Sequence, residues 1–190
     1  MSAFESRSTA LVLIDLQNGI VGQPWEPHDS AGIVARSRTL ADRFRAAGAP
    51  VVLVRVAFAA DFADAPGQNV DQPVALPKGG LPPEWSQLVE GLAQPGDLLI
   101  TKRQWGAFHG TELDLQLRRR GIKTVVLGGI ATNIGVESTA LQAWEHGYDL
   151  VLAEDLCAGP SAELHAMAFK HIFPRLSRVM RSDAIALAAS

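Results

Sequence analysis

The segment Thr124–Ala140, with the sequence TVVLGGIATNIGVESTA, decides the fold that we expect for this chain. Its opening residues, Thr124 to Gly128, form a short apolar run that is typical of a strand buried on both faces. Helical spacing follows from Asn133 onward. The segment therefore predicts a turn from a buried strand into the N-terminus of a helix, which is the repeating unit of a parallel α/β sheet.

The rest of the chain repeats this alternation of apolar runs and amphipathic stretches. The runs that predict strands are Thr9–Ile14, Pro50–Val56, Asp97–Lys102, Lys123–Leu127, Asp149–Ala153 and Arg178–Met180. The stretches that predict helices are Ser30–Ala47, Glu112–Arg120, Asn133–His146 and Ser161–His171. Right-handed crossovers would place the helices on both faces of the sheet. We therefore predict one domain, residues 1–190, with a three-layer α/β/α, Rossmann-like architecture and a parallel sheet of about six strands.

Composition argues against several classes of partner. The chain of 190 residues has a net charge of −3, so it offers no broad positive field for nucleic acid or an anionic membrane. Its apolar runs fall short of the ~20 residues of a membrane span, and the polar stretch Met1–Ser8 lacks the apolar centre of a signal peptide. Cys157 is the only cysteine, which rules out an intramolecular disulfide. We expect a cytoplasmic protein that acts on a small molecule, with no nucleic-acid or membrane partner.

One long stretch, Ala57–Pro95, does not fit the alternation. It is rich in Pro, Gly, Asp and Gln, and clusters such as Pro66-Gly67 and Lys78-Gly79-Gly80 interrupt any regular pattern. A long irregular insertion in a compact domain is often a lid or a binding loop. We therefore expect a lid, an oligomer contact or a simple surface excursion here.

Three candidate functional features follow the ends of predicted strands. They are Asp15 after the first strand, Lys102 at the end of the third, and the Ala131–Gly135 turn after the fourth. Taken singly, Asp15 could cap a turn and Lys102 could be a solvated charge. Ligands of open α/β sheets bind beyond the carboxyl ends of the strands, so the shared location favours a catalytic role for both residues.

These features lie in segments that together resemble the isochorismatase-like cysteine hydrolases. The segments are ALVLIDLQN at 10–18, TKRQWGAFHGT at 101–111 and GIATNIGVESTA at 129–140. The resemblance implies a catalytic role for Asp15, with Lys102 as its partner. It also implies an oxyanion-binding turn built from Ile130, Ala131 and Gly135, with a cis peptide bond between the first two. Members of the family usually form dimers or larger assemblies, so the resemblance implies a homo-oligomer, either a dimer or a tetramer.

Gly135 stands where most of that family has its nucleophilic cysteine, and glycine cannot attack a substrate. We interpret Cys157 as a buried structural thiol and not as a replacement. Isochorismatases resemble this chain in combining the aspartate and lysine with a glycine. They hydrolyse a vinyl ether by protonating carbon, with Asp15 as the general acid here and Lys102 either orienting it or binding a substrate carboxylate. We therefore predict hydrolysis without a covalent intermediate; the alternative is a binding or assembly protein that has lost catalysis.

Five further side chains are candidates for lining the substrate pocket: Gln17, Trp25, Arg55, Trp105 and Phe108. For the aromatic residues, packing in the core or at an interface is an equal alternative, and Arg55 could instead pair with an acidic residue.

We expect no metal and no cofactor. Nicotinamidase-like relatives bind a metal through an aspartate and nearby histidines, but Asp61 and Asp64 have no neighbouring histidine, and His28 and His109 lie far from them in sequence. The sequence also lacks a dinucleotide fingerprint and a P-loop.

Overall fold

The computed structural model describes residues 3–188, and its centre is a parallel sheet. The strands, in chain order, are β1 (Phe4–Glu5), β2 (Thr9–Ile14), β3 (Val51–Val56), β4 (Leu98–Lys102), β5 (Thr124–Ile130), β6 (Asp149–Ala158), β7 (Arg178–Met180) and β8 (Leu187–Ala188). Strands β2 to β7 form the six-stranded sheet in the order β4-β3-β2-β5-β6-β7, and β1 pairs with β8 separately. The predicted α/β class and the sheet of about six strands are confirmed.

Helices cover both faces of the sheet. They are α1 (Asn18–Val21), α2 (Ser30–Ala46), α3 (Leu113–Arg119), α4 (Glu137–Glu145) and α5 (Ala162–Met167). Alternate residues of β2 point to opposite faces: Val12 packs in the core layer that contains Leu117, whereas Leu13 packs in the layer that contains Phe44. Every residue of β2 is therefore buried, which explains why the strand reads as an unbroken apolar run.

The order of the strands places a crevice between β2 and β5. From β2 the chain builds outward through β3 and β4 on one side, and β5, β6 and β7 extend the sheet on the other. This reversal is the topological switch point at which parallel sheets bind ligands. Asp15 follows β2 and the Ala131–Gly135 turn follows β5, so both border this crevice.

Two strands run further than the sequence predicts. β5 continues past Leu127 to Ile130, and β6 continues past Ala153 to Ala158. The chain uses Gly128 and Gly129 for close packing. A Cβ atom on Gly129, whose φ is +127°, would lie 2.1 Å from the carbonyl oxygen of Ile14. Glycine therefore lets β5 stay in the sheet where it approaches β2 most closely.

Two predicted helices are also less regular than their sequence pattern. The predicted helix Asn133–His146 consists of a wide π-type turn, Thr132–Val136, followed by α4. The predicted helix Ser161–His171 consists of α5 and then a second wide turn, Ala168–Ile172. Such π-type turns are often found at functional sites, and the first one directly follows β5.

The stretch 57–95 is irregular, as its composition predicts, apart from one short 3₁₀ turn at Pro83–Ser86. Its far end is tied to the segment after β2, since the Val89 amide donates to the Leu16 carbonyl at 3.0 Å. Nearer its start, Asp64 pairs with Arg103 at 2.5 Å. Among residues 3–188, no helix is long and apolar enough to cross a membrane.

Candidate active site

Asp15 lies at the crevice in a backbone conformation that few residues adopt. Its φ is +54°, in the left-handed region, which aspartate and asparagine tolerate better than most residues. Its amide donates to the Val54 carbonyl at 2.8 Å, and its own carbonyl accepts from the Gln17 amide at 2.8 Å. These contacts turn the side chain inward, where the residue is only 6% exposed.

Lys102 holds the Asp15 carboxyl group from the end of β4. Its Nζ lies 2.8 Å from Asp15 Oδ2, and it also donates to the carbonyls of Gln104 at 3.1 Å and Trp105 at 2.9 Å. An ammonium group has three N–H donors, so every one of them is used. Lys102 is 2% exposed. This arrangement favours an orienting role for Lys102, because binding a substrate carboxylate would require it to release one of these partners.

The surroundings of Asp15 favour the protonated form of its carboxyl group. Burial raises the pKa of its carboxyl group to about 6, against the opposing effect of the charge and hydrogen bond of Lys102. A general acid next to a lysine requires such a balance, because the lysine alone would lower the pKa. The second carboxyl oxygen, Oδ1, is buried and accepts no hydrogen bond from the residues that the structure describes. Asp15 therefore has one oxygen held by Lys102 and one that is buried without a hydrogen-bond partner among these residues.

Gly135 sits beside the oxygen held by Lys102. A Cβ atom there would lie 3.2 Å from Asp15 Oδ2, 3.1 Å from Ile14 Cγ2 and 3.5 Å from the Trp105 carbonyl oxygen. A side chain at this position would thus point at the Asp15–Lys102 pair, and the chain has only a hydrogen atom there. The position that the family resemblance assigns to the nucleophile, Gly135, therefore lies next to Asp15, but it carries no reactive group.

The turn that contains Gly135 is firmly held. Thr139 Oγ1 donates to the Gly135 carbonyl at 2.6 Å and accepts from the Ala107 amide at 3.1 Å. The peptide bond between Ile130 and Ala131 is cis, as the family resemblance implies. The turn begins at this bond, and its backbone is the candidate oxyanion-binding surface.

Two of the pocket candidates, Gln17 and Arg55, form hydrogen bonds to other protein groups through their side chains. The Gln17 amide accepts from the Val56 amide at 2.8 Å and donates to the Val56 and Trp85 carbonyls. Arg55 donates to Thr101 Oγ1 at 3.1 Å. Gln17 therefore links the end of β3 to the irregular stretch 57–95. Arg55 contacts neutral oxygens and has no acidic partner among the ion pairs of residues 3–188.

The aromatic candidates separate into different environments. Phe108 is buried in the core and stacks on His146 with ring centroids 5.1 Å apart, which corresponds to the core-packing alternative. Trp25 donates its indole N–H to the Ile20 carbonyl at 2.8 Å and packs against the other core layer. Trp105 is 65% exposed, although its carbonyl binds Lys102. Trp105 contacts the Asp15–Lys102 pair through its backbone carbonyl, which accepts from Lys102.

Cys157 is not a substitute nucleophile. It is fully buried in the core, and its thiol donates to the Ala153 carbonyl at 3.4 Å. Burial raises the pKa of the thiol far above its usual value. The reactive thiolate is therefore suppressed, in agreement with the structural role that the sequence suggests.

A second group of polar side chains lies behind the turn. His28 Nε2 and His165 Nε2 lie 2.9 Å and 3.2 Å from Glu154 Oε1, and Thr132 Oγ1 lies 2.9 Å from His165 Nδ1. Burial raises the pKa of Glu154, but its hydrogen bonds to the two histidines outweigh this effect and leave the pKa below its usual value. Burial lowers the pKa of His165, against the opposing effect of Glu154.

Sequence reasoning missed this group because it looked for histidines next to Asp61 and Asp64. Asp64 instead pairs with Arg103, and Asp61 accepts a hydrogen bond from the Ala63 amide. His28 is 126 residues from Glu154, so no local spacing reveals their contact. The expectation of no metal site was argued from Asp61 and Asp64 and did not consider this group.

Two surface cavities lie at the other end of the sheet. One of about 550 Å³ is lined in part by Trp144, Tyr148 and Arg178, and one of about 450 Å³ lies between the end of α2 and residues 185–187. Both are near the amino ends of the strands, where parallel sheets rarely bind substrates. We assign neither to the Asp15 site.

Known proteins resemble this chain in sequence over most of its length. Residues 9–184 match the family model described as the isochorismatase domain. The chain is 52% identical over 186 residues to the uncharacterized isochorismatase family protein YecD of Escherichia coli O157:H7, which covers 97% of this chain and 98% of that protein. It is 30% identical to the ureidoacrylate amidohydrolase RutB of Methylorubrum extorquens strain AM1, over 84% of this chain and 74% of RutB.

Solved structures show the same likeness. The structure of an isochorismatase family protein from Burkholderia thailandensis matches with a TM-score of 0.91 and 44% identity, covering 97% of each chain. The N-carbamoylsarcosine amidase of Thermoplasma acidophilum matches with a TM-score of 0.73 and 27% identity, covering 94% of this chain and 98% of that one.

Proposed function

The chain belongs to the isochorismatase family and is a hydrolase, and we propose that it cleaves a small molecule by acid–base catalysis from Asp15, without a covalent intermediate on the enzyme. Vinyl-ether hydrolysis of the isochorismate type is the reaction that fits best. The absent side chain at Gly135 favours a reaction that needs no enzyme nucleophile. The elevated pKa of Asp15, about 6, favours one that begins with proton donation.

In this mechanism, protonated Asp15 delivers its proton from Oδ1 to the terminal carbon of the vinyl ether. The double-bond electrons form the new C–H bond, and the ether oxygen stabilises the positive charge that develops on the neighbouring carbon. Water adds to that carbon and loses a proton, and the resulting hemiketal breaks down to a ketone and an alcohol. Lys102 supports the step by holding Oδ2, which stabilises the carboxylate that the proton leaves behind.

The observation that carries this proposal is the unequal bonding of the two Asp15 oxygens. Oδ2 is fixed by Lys102 at 2.8 Å, whereas Oδ1 is buried without a partner among the described residues. A buried carboxyl oxygen without a partner costs free energy, and proteins usually satisfy such groups. A substrate atom bound at Oδ1 would provide the missing partner.

Water-mediated amide hydrolysis is the second candidate, because RutB and the N-carbamoylsarcosine amidase carry amidase names. Asp15 would then act in its ionised form and take a proton from water. The backbone at Ile130, Ala131 and Gly135 would face the oxyanion of the tetrahedral intermediate. The two reactions demand opposite protonation states of the same carboxyl group.

Turnover of isochorismate and of ureidoacrylate, measured in parallel, tests the proposal. Wild-type protein should cleave isochorismate, and Asp15→Asn should reduce the rate about 10²- to 10⁴-fold. Asparagine keeps the shape and tolerates the left-handed backbone, so the fold should persist. Asp71→Asn, which changes an exposed aspartate, is the matched control and should keep the wild-type rate.

The other outcomes decide between the alternatives. Asp15-dependent cleavage of ureidoacrylate alone would replace the vinyl-ether proposal by water-mediated amide hydrolysis. Binding of either compound without turnover, and unchanged in Asp15→Asn, would overturn both proposals in favour of a binding or assembly protein.

A further inference from the structure

The side chains of His28, Glu154 and His165 come from three separate segments of the chain and converge behind the Thr132–Val136 turn. His28 precedes α2, Glu154 lies within β6, and His165 lies in α5. One ligand atom from each lies within 4.8 Å of the other two. We propose that these three residues bind a single Zn²⁺ ion and leave one coordination position open. This proposal does not depend on the hydrolase activity.

The distances from each histidine nitrogen to the Glu154 oxygen are close to the donor spacing of a tetrahedral zinc site. Zinc bonds to nitrogen and oxygen of about 2.0–2.1 Å at tetrahedral angles place neighbouring donors about 3.3 Å apart. Glu154 Oε1 lies 2.9 Å from His28 Nε2 and 3.2 Å from His165 Nε2. The two histidine nitrogens lie within 4.8 Å of each other, so an ion could enter among the three atoms by small movements of these side chains.

The ligand types also fit. Two imidazoles and one carboxylate form a set that proteins use for zinc with an open position. The second glutamate oxygen, Oε2, lies 3.9 Å from Arg181, so the carboxylate can bind an ion through Oε1 while Oε2 faces a cation.

Thr132 supplies the outer support that metal-binding histidines usually have. Its Oγ1 lies 2.9 Å from His165 Nδ1 and can accept a hydrogen bond from that nitrogen. This tautomer leaves the lone pair of His165 Nε2 directed at the proposed ion. Thr132 is fully buried, so its hydroxyl group is held in place.

Hydrogen bonds to the backbone fix the segment that leads to His28. Glu26 and Gly159 exchange two backbone hydrogen bonds, of 2.9 Å and 2.7 Å, and the Glu26 carboxylate accepts from the Ala162 amide at 2.8 Å. These contacts attach the segment before His28 to the loop between β6 and α5. The site is thus largely preformed, which lowers the cost of binding.

The burial of the ligands suits a site that is loaded from solvent. The His165 side chain is 5% exposed, whereas those of His28 and Glu154 are 26% and 28% exposed. One side of the group therefore faces water, and a water molecule can occupy the open position. Without an ion, the same atoms can form a purely hydrogen-bonded group, with each Nε2–H donating to Glu154. Direct metal binding distinguishes the two arrangements.

The test uses untagged protein that is stripped with a chelator, incubated with ZnCl₂, passed through a desalting column and analysed for metal by mass spectrometry. Wild-type protein should retain one zinc per chain. His28→Asn and Glu154→Gln should each retain less than about a tenth of that amount after the same treatment. Both residues are partly exposed, so these variants should fold, which circular dichroism checks; the buried His165 is left intact for this reason.

His109→Asn and His171→Asn are the matched controls, since both change exposed histidines outside the group and should bind zinc like the wild type. Co²⁺ in place of Zn²⁺ should give the visible absorption of a four-coordinate site, and His28→Asn should abolish it. A wild-type protein that retains no zinc, or zinc binding that survives in both His28→Asn and Glu154→Gln, would overturn the proposal.

Discussion

Two groups of polar side chains adjoin the Thr132–Val136 turn, and they differ in their access to water. The Asp15–Lys102 pair is enclosed, with both residues nearly inaccessible to solvent. The group of His28, Glu154 and His165 is open on one side. Enclosure raises the pKa of Asp15 because a buried charge loses its hydration, whereas the open group can exchange an ion with solvent. The same turn therefore separates the enclosed pair that we propose for proton transfer from the open group that we propose for metal binding.

Replacing Lys102, the cation of the enclosed site, should have the largest effect of the changes considered. Lys102→Met leaves Asp15 Oδ2 and the carbonyls of Gln104 and Trp105 without their donor. We expect kcat/KM to fall at least about 100-fold, because the acid is no longer held in place, and stability to fall by about 1–3 kcal/mol. Steady-state kinetics and thermal denaturation measure the two effects.

The exposed Lys123 provides the control, and Lys123→Met should behave like the wild type. Loss of Lys102 should also move the Asp15 limb of the pH profile upward, since Lys102 lowers the pKa of that carboxyl group. A Lys102→Met enzyme with an unchanged profile would show that the lysine does not act through Asp15.

On the open side, Thr132→Val should weaken zinc binding. Valine keeps the shape of threonine but cannot hold His165 Nδ1. We expect the zinc affinity to fall about 10- to 100-fold, as is typical when the outer partner of a metal-binding histidine is lost. A competition titration with a zinc-sensitive dye measures it. Thr39→Val, at an exposed position on α2, should have no effect; equal affinity in all three proteins would contradict the orienting role of Thr132.

The pH dependence of the rate tests whether enclosure makes Asp15 an acid. A proton donor works only when it is protonated, so kcat/KM should be level below about pH 6 and fall about tenfold per pH unit above it. A general base would give the opposite slope. Rate profiles of wild type from pH 4.5 to about 8.5 would distinguish the two roles.

Stability should respond to the same titration. The pKa of Asp15 rises from its ordinary value of 3.8 to about 6 on folding, so protonation favours the folded chain. This contribution is complete below about pH 3.8 and is lost as pH rises through about 6. Asp15→Asn should therefore flatten the decline of stability over this window, and an unchanged decline would mean that other groups cause it.

The smallest expected effect concerns the empty position beside the acid. Gly135→Cys should place a thiol next to Asp15, and iodoacetamide should alkylate it at neutral pH. Adding Asp15→Asn should slow the labelling several-fold, on the order of the change expected from losing a neighbouring base. The buried Cys157 is an internal control and should stay unlabelled in native wild-type protein. Equal labelling rates with and without Asp15 would show that the pair does not activate a thiol.

The sequence was most informative where function depends on the ends of strands. Parallel strands bring their carboxyl ends to one edge, so the strand pattern alone predicts that Asp15, Lys102 and the turn after β5 lie close together. The full lengths of β5 and β6 were not predicted in the same way, because the apolar runs alone end at Leu127 and Ala153. Only the packing of Gly129 against Ile14 shows why the sheet continues.

The contacts of Gln17 and His28 were beyond the reach of sequence patterns for another reason. Gln17 is part of a recognisable motif, but its partners Val56 and Trp85 lie 39 and 68 residues away. His28 meets Glu154 across 126 residues. Contacts between distant segments produce no periodic pattern in the sequence, so the partners of these side chains become known only from the folded structure.

The two glycines around this turn set very different limits on directed evolution of the enzyme. At position 129 any β-carbon would collide with the backbone of Ile14 at 2.1 Å, and the backbone cannot yield. At position 135 the nearest obstacle is a side-chain methyl group at 3.1 Å, and that group can shift slightly. A mutant library should therefore keep residue 129 constant and randomise residue 135, since new chemistry can be introduced there without separating the strands that carry the site.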